Sequence, residues 1–481
     1  VTEQPLQAQR RLMNNTVLLS AGEIAGQVVN FVFVIALARG YGQELLGLYA
    51  FAMAVGAVLC LLMSLGTHPL LLRELSRNPG QTAAAMGGLL PFQMLVGVAL
   101  LLLVQQTAYR LGFPAEVIWV LSLVVGFHLL MHLADFMTVG FDARQRMAPR
   151  ALVQVSPRLG MLLLGGAAMA WGASAELALA AMPAATLLTL AAIYGFVRLH
   201  LGPMRWRLRA GEVWPYLKRG LPFFLVILLT TLYLRLGIIY LALLAGDAEA
   251  GVFAAAERLV VAAGVVHMMF GAALFPLMSR LWAGDRDDFG RILRRGMRVI
   301  VLISLPMATL LVLFAVDIIN LLYGDGFDDA ALVLAAVAGV LVVRGMAQIL
   351  NITSIASERQ ATIIASKCAG IAVLTLSCLL AVPRFGALGL AGALVLSELL
   401  TTLFHYLLLR RSGMQPLTLA NGGRVACACL LAALVAWFGA ELHPVMRVVL
   451  VALGGGLGLW AFGAVRLHDL FYLRAIIAAR A

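Results

Sequence analysis

Nine ionised side chains stand inside apolar runs of this sequence: Glu23, Asp135, Arg158, Arg235, Glu257, Arg258, Asp317, Arg344 and Glu398. A charge at the centre of a membrane-spanning helix costs about 2.5 to 3.5 kcal/mol on insertion scales, so nine facing lipid would cost roughly 20 to 30 kcal/mol. That exceeds the net stability of an ordinary folded domain. The groups must face one another or water. Arginine offers a planar fork that grips phosphate or carboxylate oxygens two at a time, while a carboxylate in the same setting can hold an arginine, a proton or a sodium ion. His128 and His132 lie four apart on one helix face, with Asp135 three further on, and could pass a proton. Satisfied core histidines are the plainer expectation.

The runs that carry these charges are membrane spans. Of 481 residues, 62% are hydrophobic and 12% charged, with a mean hydropathy of +0.97, which excludes a soluble globular protein. Fourteen apolar spans are expected, at about 16–38, 47–71, 83–105, 115–139, 151–171, 175–197, 220–244, 250–277, 299–322, 330–355, 361–382, 387–409, 424–440 and 446–465. Alternating strands of barrel type appear nowhere, so the fold class is an all-α polytopic membrane protein. The opening VTEQPLQAQRRLMNNT has no cleavage pattern of a secretory signal, and the first span is expected to insert by itself. All five cysteines, Cys60, Cys368, Cys378, Cys427 and Cys429, fall in apolar runs and read as packing residues.

The net charge of +12 sorts by loop. The tails and even-numbered loops carry 27 Lys and Arg, with Arg359 and Lys367 among them, and the odd-numbered loops only four, Arg39, Arg110, Arg384 and Arg447. By the positive-inside rule both termini are cytoplasmic, and the basic charge marks topology, not nucleic-acid binding. The stretch 198–219 reads as a cytoplasmic linker. Asp285 to Arg298, DRDDFGRILRRGMR, could lie along the inner headgroups as an amphipathic helix or serve as an orientation-setting loop. External loops are short, leaving no extramembrane platform for catalytic groups, so no enzyme is expected.

An internal repeat organises the chain. Gly42, Gly47, Tyr49, Ala50 and Ala52 recur as Gly246, Gly251, Phe253, Ala254 and Ala256 at an offset of 204. HPLLLR (68–73) answers FPLMSR (275–280), and Arg144, Gln145 weakly echo Arg359, Gln360. The offset covers six spans, an even number, so the copies share an orientation and are related by an axis along the membrane normal. Two six-helix lobes follow, 1–197 and 220–411, with 412–481 holding two further helices and a tail. At the repeat offset Arg235, Glu257 and Arg258 answer to Phe31, Met53 and Ala54, so the outer-half charge is expected in the second lobe.

KRGLPFF, LYLRLGII, GDAEAGVFAAAERL and FPLMSR, together with SAGEIAGQVVNFVFVIALARGYG, SLGTHPLLLREL and LLYGDGFDDA, resemble the oligosaccharide flippases of the polysaccharide transporter family. That family shares a superfamily with multidrug and toxin extrusion antiporters and lipid II flippases. The resemblance implies alternating access that moves an undecaprenyl-diphosphate-linked glycan across a bacterial inner membrane. It implies no cofactor beyond proton or sodium coupling, and partners among polymerases and glycosyltransferases. Arg158, Arg235, Arg258 and Arg344 would then form a ladder for the diphosphate, with Tyr233 and Tyr240 placed to stack a sugar. Glu23, Asp135, Glu257, Asp317 and Glu398 would pair with the arginines or couple an ion. Where many members carry an acid just after the arginine of the seventh span, this chain reads Arg235, Leu236, Gly237. A drug or metabolite antiporter of the same superfamily is the alternative, and a membrane-embedded glycosyl transferase or polymerase a more distant one.

Overall fold

A computed structural model describes residues 3–78, 82–202, 204, 206 and 210–414. Spans thirteen and fourteen, with Cys427 and Cys429, lie outside these residues. By its internal contacts the chain divides into two compact units, Val1–Gly251 and Val252–Ala481. The first holds α1 (Glu3–Ser64), α2 (Thr67–Arg77), α3 (Thr82–Arg110), α4 (Ala115–Asp142), α5 (Ala148–Ala170), α6 (Ala175–His200) and α7 (Ala210–Ala245), and ends in the first turn of α8 (Asp247–Ala263). The rest of α8 opens the second unit, followed by α9 (Val265–Gly284), α10 (Arg286–Leu313), α11 (Ala315–Tyr323), α12 (Asp328–Ala338), α13 (Val340–Ala356) and α14 (Gln360–Arg411).

Ten helical segments among the described residues are long and apolar enough to cross a membrane. Two of them, Ala21–Ser64 and Gln360–Arg411, run to 44 and 52 residues. At about 1.5 Å per residue either would be roughly twice a bilayer core if straight. Each is broken by a glycine in the left-handed region, Gly42 (φ 81°) and Gly386 (φ 52°), so each makes two crossings and the described spans number twelve. Long rows of leucine remain exposed, as with Leu95, Leu102 and Leu103 on α3, or Leu376, Leu379 and Leu380 on α14. Such faces suit hydrocarbon, whereas the small and aromatic residues Ala52, Ala54, Tyr49 and Phe33 turn inward.

In the first unit α1 packs on α4, α5 and α7, and α6 on α4 and α5. The seventh span therefore belongs by contact with the first six, although the linker at 198–219 precedes it. Close backbone approach accounts for this at both ends of α7. Near one end, a Cβ on Gly66 would collide with the Gly220 carbonyl oxygen, and a Cβ on Gly220 would lie 2.7 Å from the Leu65 oxygen. Beyond the other end the repeat meets itself. A Cβ on Gly47 would strike the carbonyl oxygen of Asp247, and one on Gly251 that of Gln43. Gln43 and Gly47 answer to Asp247 and Gly251 at the repeat offset of 204, so the contact is reciprocal. Each copy is led by a left-handed glycine, Gly42 or Gly246 (φ 94°).

The second unit builds its core from α9, α10, α13 and α14. Phe289, Leu293, Met297 and Ile300 form one buried stripe of α10 against Leu274, Met278, Ile349 and Leu350. The segment Asp285 to Arg298 is therefore neither a loop nor a separate headgroup helix. It is the capped start of α10, where Asp285 Oδ1 accepts from the backbone N–H of Asp287 and Asp288 at 3.0 and 2.9 Å. Its apolar face goes to protein, and Arg291, Arg295 and Arg298 stay exposed. The α4–α5 and α13–α14 turns also match, with a shift of two residues from the sequence pairing. Gln145 (φ 56°) and Glu358 (φ 58°) occupy the left-handed position, and the next N–H in each, Arg146 or Arg359, bonds back to Phe141 or Ser354. Arg359 thus corresponds to Arg146, not Arg144.

Candidate functional site

The nine charges separate into groups inside each unit. In the second unit, Arg344 of α13 donates through Nε to Glu398 Oε1 of α14 at 2.7 Å, and its Nη2 lies 4.0 Å from Glu257 Oε1 of α8. The Glu398 side chain is 3% exposed, against 21% for Arg344 and 24% for Glu257. One guanidinium thus serves two carboxylates, one tightly and one loosely. Lys367 of α14, half-buried, lies within electrostatic reach of both Glu398 and Arg344. Hydropathy alone places Lys367 with the loop cations, yet the helix begins at Gln360, before it. Its isolation in an apolar stretch three turns before Leu379 was a signal that could have found it.

Arg258 does not join this group. One residue along a helix turns a side chain by about 100°, so while Glu257 meets Arg344, Arg258 lies within electrostatic reach of Tyr323, whose hydroxyl donates to Ala255 O at 3.2 Å. Asp317 sits half-buried in the first turn of α11, where the helix dipole favours an anion.

In the first unit, Arg158 Nη2 lies 3.6 Å from Glu23 Oε1, and Glu23 also accepts from Gln27 Nε2 at 2.8 Å. Gly26 makes room for this arginine, because a Cβ there would run into Arg158 Nη1. That same Nη1 is buried without a hydrogen-bond partner, as is Gln154 Oε1 one turn earlier on α5. An unmet buried guanidinium donor is costly unless something comes to accept from it.

Asp135 lies between His68 Nδ1 and Arg150 Nε, each at 3.9 Å, and Arg150 Nη1 also donates to Asp142 Oδ2 at 2.9 Å. By sequence position His68 belongs to the repeated HPLLLR segment and Arg150 to the loop cations. The repeat held a clue to the first, since His68 stands where the second copy has Phe275. Among the described residues no hydrogen bond links the histidine pair to Asp135, although His132 lies within electrostatic reach of it. His128 Nδ1–H is spent on Val124 O at 3.2 Å, with its ring edge-on to Phe127, while His132 Nε2 is buried without a partner.

Arg235 is exposed on α7 and lies within electrostatic reach of Cys60 and His128. By its packing it lies in the first unit, with Glu23, Asp135 and Arg158. Tyr233 is 1% exposed, its ring enclosed in the core of this structure. Tyr240 is half-buried. Of the cysteines, Cys378 is buried, Cys60 half-buried and Cys368 exposed.

Helices of bilayer length, hairpins turned at left-handed glycines and ionised groups held in pairs within the spans define an all-α polytopic membrane protein. The structure is similar to that of the lipid II flippase MurJ in an inward closed conformation, with a TM-score of 0.74 and 13% identity over 95% of this chain and 100% of the other. Multidrug resistance MATE family transporters of the MOP superfamily are also similar. The inward-facing form has a TM-score of 0.67 at 14% identity, covering 83% and 98%, and the outward-facing form 0.56 at 15%, covering 83% and 95%. No curated protein sequence matches. A family profile described as polysaccharide biosynthesis protein matches residues 12–282, more than half the chain, and the chain belongs to that family.

Proposed function

We propose that the protein is a flippase for polyprenyl-diphosphate-linked glycan units, carrying them from the inner to the outer leaflet of a bacterial cytoplasmic membrane by alternating access of two lobes, 1–197 and 220–411. Family membership and fold support the transporter class. The observation that carries the substrate reading is Arg344, a cation inside a span held by Glu398 and more weakly by Glu257. A diphosphate must shed its hydration to cross hydrocarbon and needs fixed cations to replace it. At Arg344 the incoming phosphate oxygens take the place of Glu257, and the guanidinium stays neutralised with or without substrate. Arg158, with its unmet Nη1, and the exposed Arg235 are further stations, and Arg258 a fourth, with Tyr240 beside the path. The carboxylate released from an arginine takes up a proton or sodium ion, which couples transport to an ion gradient; Glu257 and Asp135, the loosely held acids, serve this role better than Glu398. Both termini lie on the cytoplasmic side, where the polymerase and glycosyltransferases that make and use such units are the expected partners.

Deletion in the native host tests this. The expected result is loss of surface polysaccharide with lipid-linked precursor accumulating on the inner leaflet. Persistence of the polysaccharide without accumulation overturns the proposal. The fold likeness to multidrug transporters supports a second reading, antiport of organic cations. Raised drug sensitivity of the deletion strain, with polysaccharide intact, would favour it.

A further inference from the structure

A cavity of about 420 Å³ opens at the basic end of the second unit, away from the charged groups within the spans. Three arginines from different elements line it: Arg286 at the start of α10, Arg294 two turns on, and Arg359 from the α13–α14 turn. Trp282 and Phe289 form an aromatic wall, their rings 5.0 Å apart, and Ser412 and Met414 close the side after α14. Asp287 is the one carboxylate in the lining, so the wall carries a net charge of +2. The Arg286 guanidinium lies over the Trp282 ring, 3.2 Å from its centre.

The pairing pattern sets this place apart. Arg291, on the exposed face of the same helix, forms an ion pair with Asp288. Among the described residues, Arg294 and Arg359 have no carboxylate within ion-pair distance, although both are half-buried. Two unpaired guanidinium groups converging on one space repel each other unless an anion lies between them. The floor is apolar, with Leu293 and Met414, and the cavity sits where the helices leave their apolar spans, beside the exposed Arg291, Arg295, Arg298, Arg410 and Arg411. That is headgroup depth.

We infer that this cavity binds the phosphate of an anionic phospholipid, whose diester oxygens bridge Arg294 and Arg359 while its glycerol and upper acyl chain lie against Trp282, Leu293 and Met414. Such basic pockets between helices are a recognised way of selecting anionic lipids. The site holds a lipid of the surrounding bilayer as a fixed wedge between α9–α10 and the α13–α14 turn, and does not depend on what the protein transports.

Native mass spectrometry of the purified full-length protein tests it, titrating phosphatidylglycerol, phosphatidylcholine or inorganic phosphate. Phosphatidylglycerol is expected to bind more tightly than phosphatidylcholine. Replacing Arg294→Gln together with Arg359→Gln should weaken the tightest phosphatidylglycerol by about fivefold per arginine, since each guanidinium near a headgroup is worth about 1 kcal/mol. The control pair Arg291→Gln and Arg410→Gln removes the same charge from the exposed surface and should leave the tightest binding unchanged. Equal weakening by both pairs, with unfolding temperatures matched, means diffuse surface charge and overturns the site. Equal binding of the two lipids overturns the headgroup selection. Inorganic phosphate that binds the wild type but not the Arg294, Arg359 variant, with phosphatidylglycerol binding alike to both, assigns the cavity to the free ion and overturns the lipid source.

Discussion

Asp135 and Glu398 are both carboxylates inside spans, and their surroundings differ in the way that matters for a moving substrate. Glu398 is almost closed off, 3% exposed, and takes a direct 2.7 Å bond from Arg344. Asp135 is 36% exposed, with His68 and Arg150 each at 3.9 Å. A buried pair is expensive to break but hard to replace, since removing one partner leaves a bare charge out of water. A half-exposed acid between two distant cations can exchange partners at little cost. The first has the geometry of a closed clamp and the second that of a loosely held acid, though the sequence presents both as a lone acid in an apolar run.

The largest expected effect tests the clamp. Arg344→Ala should destabilise the purified protein by about 3 to 5 kcal/mol through the stranded Glu398, and abolish export. The double variant with Glu398→Ala should recover much of the stability and none of the export. If thermal unfolding in detergent shows the single variant as stable as the parent, Glu398 is not held by this arginine. A second effect tests the frame that both regions share. Gly47→Val or Gly251→Val forces a side chain into a facing carbonyl oxygen and should cost about 1 to 3 kcal/mol each. Because the two contacts are reciprocal, the double variant should cost less than the sum; additivity would mean that the crossings are independent. The smallest expected effect on stability is Asp135→Asn, within about 1 kcal/mol of the parent. Its effect should fall on transport, as a flattened dependence of export on external pH. A large loss of stability with unchanged export would reverse the roles assigned to the two acids.

The scaffold was legible in the residues because it rests on local chemistry. Gly42 and Gly246 each open a turn that a left-handed glycine permits, and spacing alone related Gly47 to Gly251. Their direct mutual contact was not legible, because the offset of a repeat says that two segments are alike and not that they touch. The echo at Arg144 lies two residues from the structural match for a related reason: what the two turns share is a left-handed position, filled by Gln145 in one and Glu358 in the other, and these do not look alike in sequence. Site residues were harder. Arg344 and Glu398 could be proposed as partners from depth, but Lys367, His68 and Arg150 were filed with loops and scaffold, since a span boundary estimated from hydropathy can hide a charge that the helix carries inward.

The sequence by itself determined the solvent, the class of fold, the number and order of the described spans, the repeat and the family resemblance. All of these depend on the length and periodicity of apolar runs, which the chain carries one residue after another. Only the tertiary structure decided that α7 packs with the first unit, that Glu257 and Arg258 turn to different neighbours, and that one arginine serves both Glu257 and Glu398. Those outcomes depend on the rotation of each helix about its axis and on where two backbones can approach, and a charge in an apolar run does not state which way it will face.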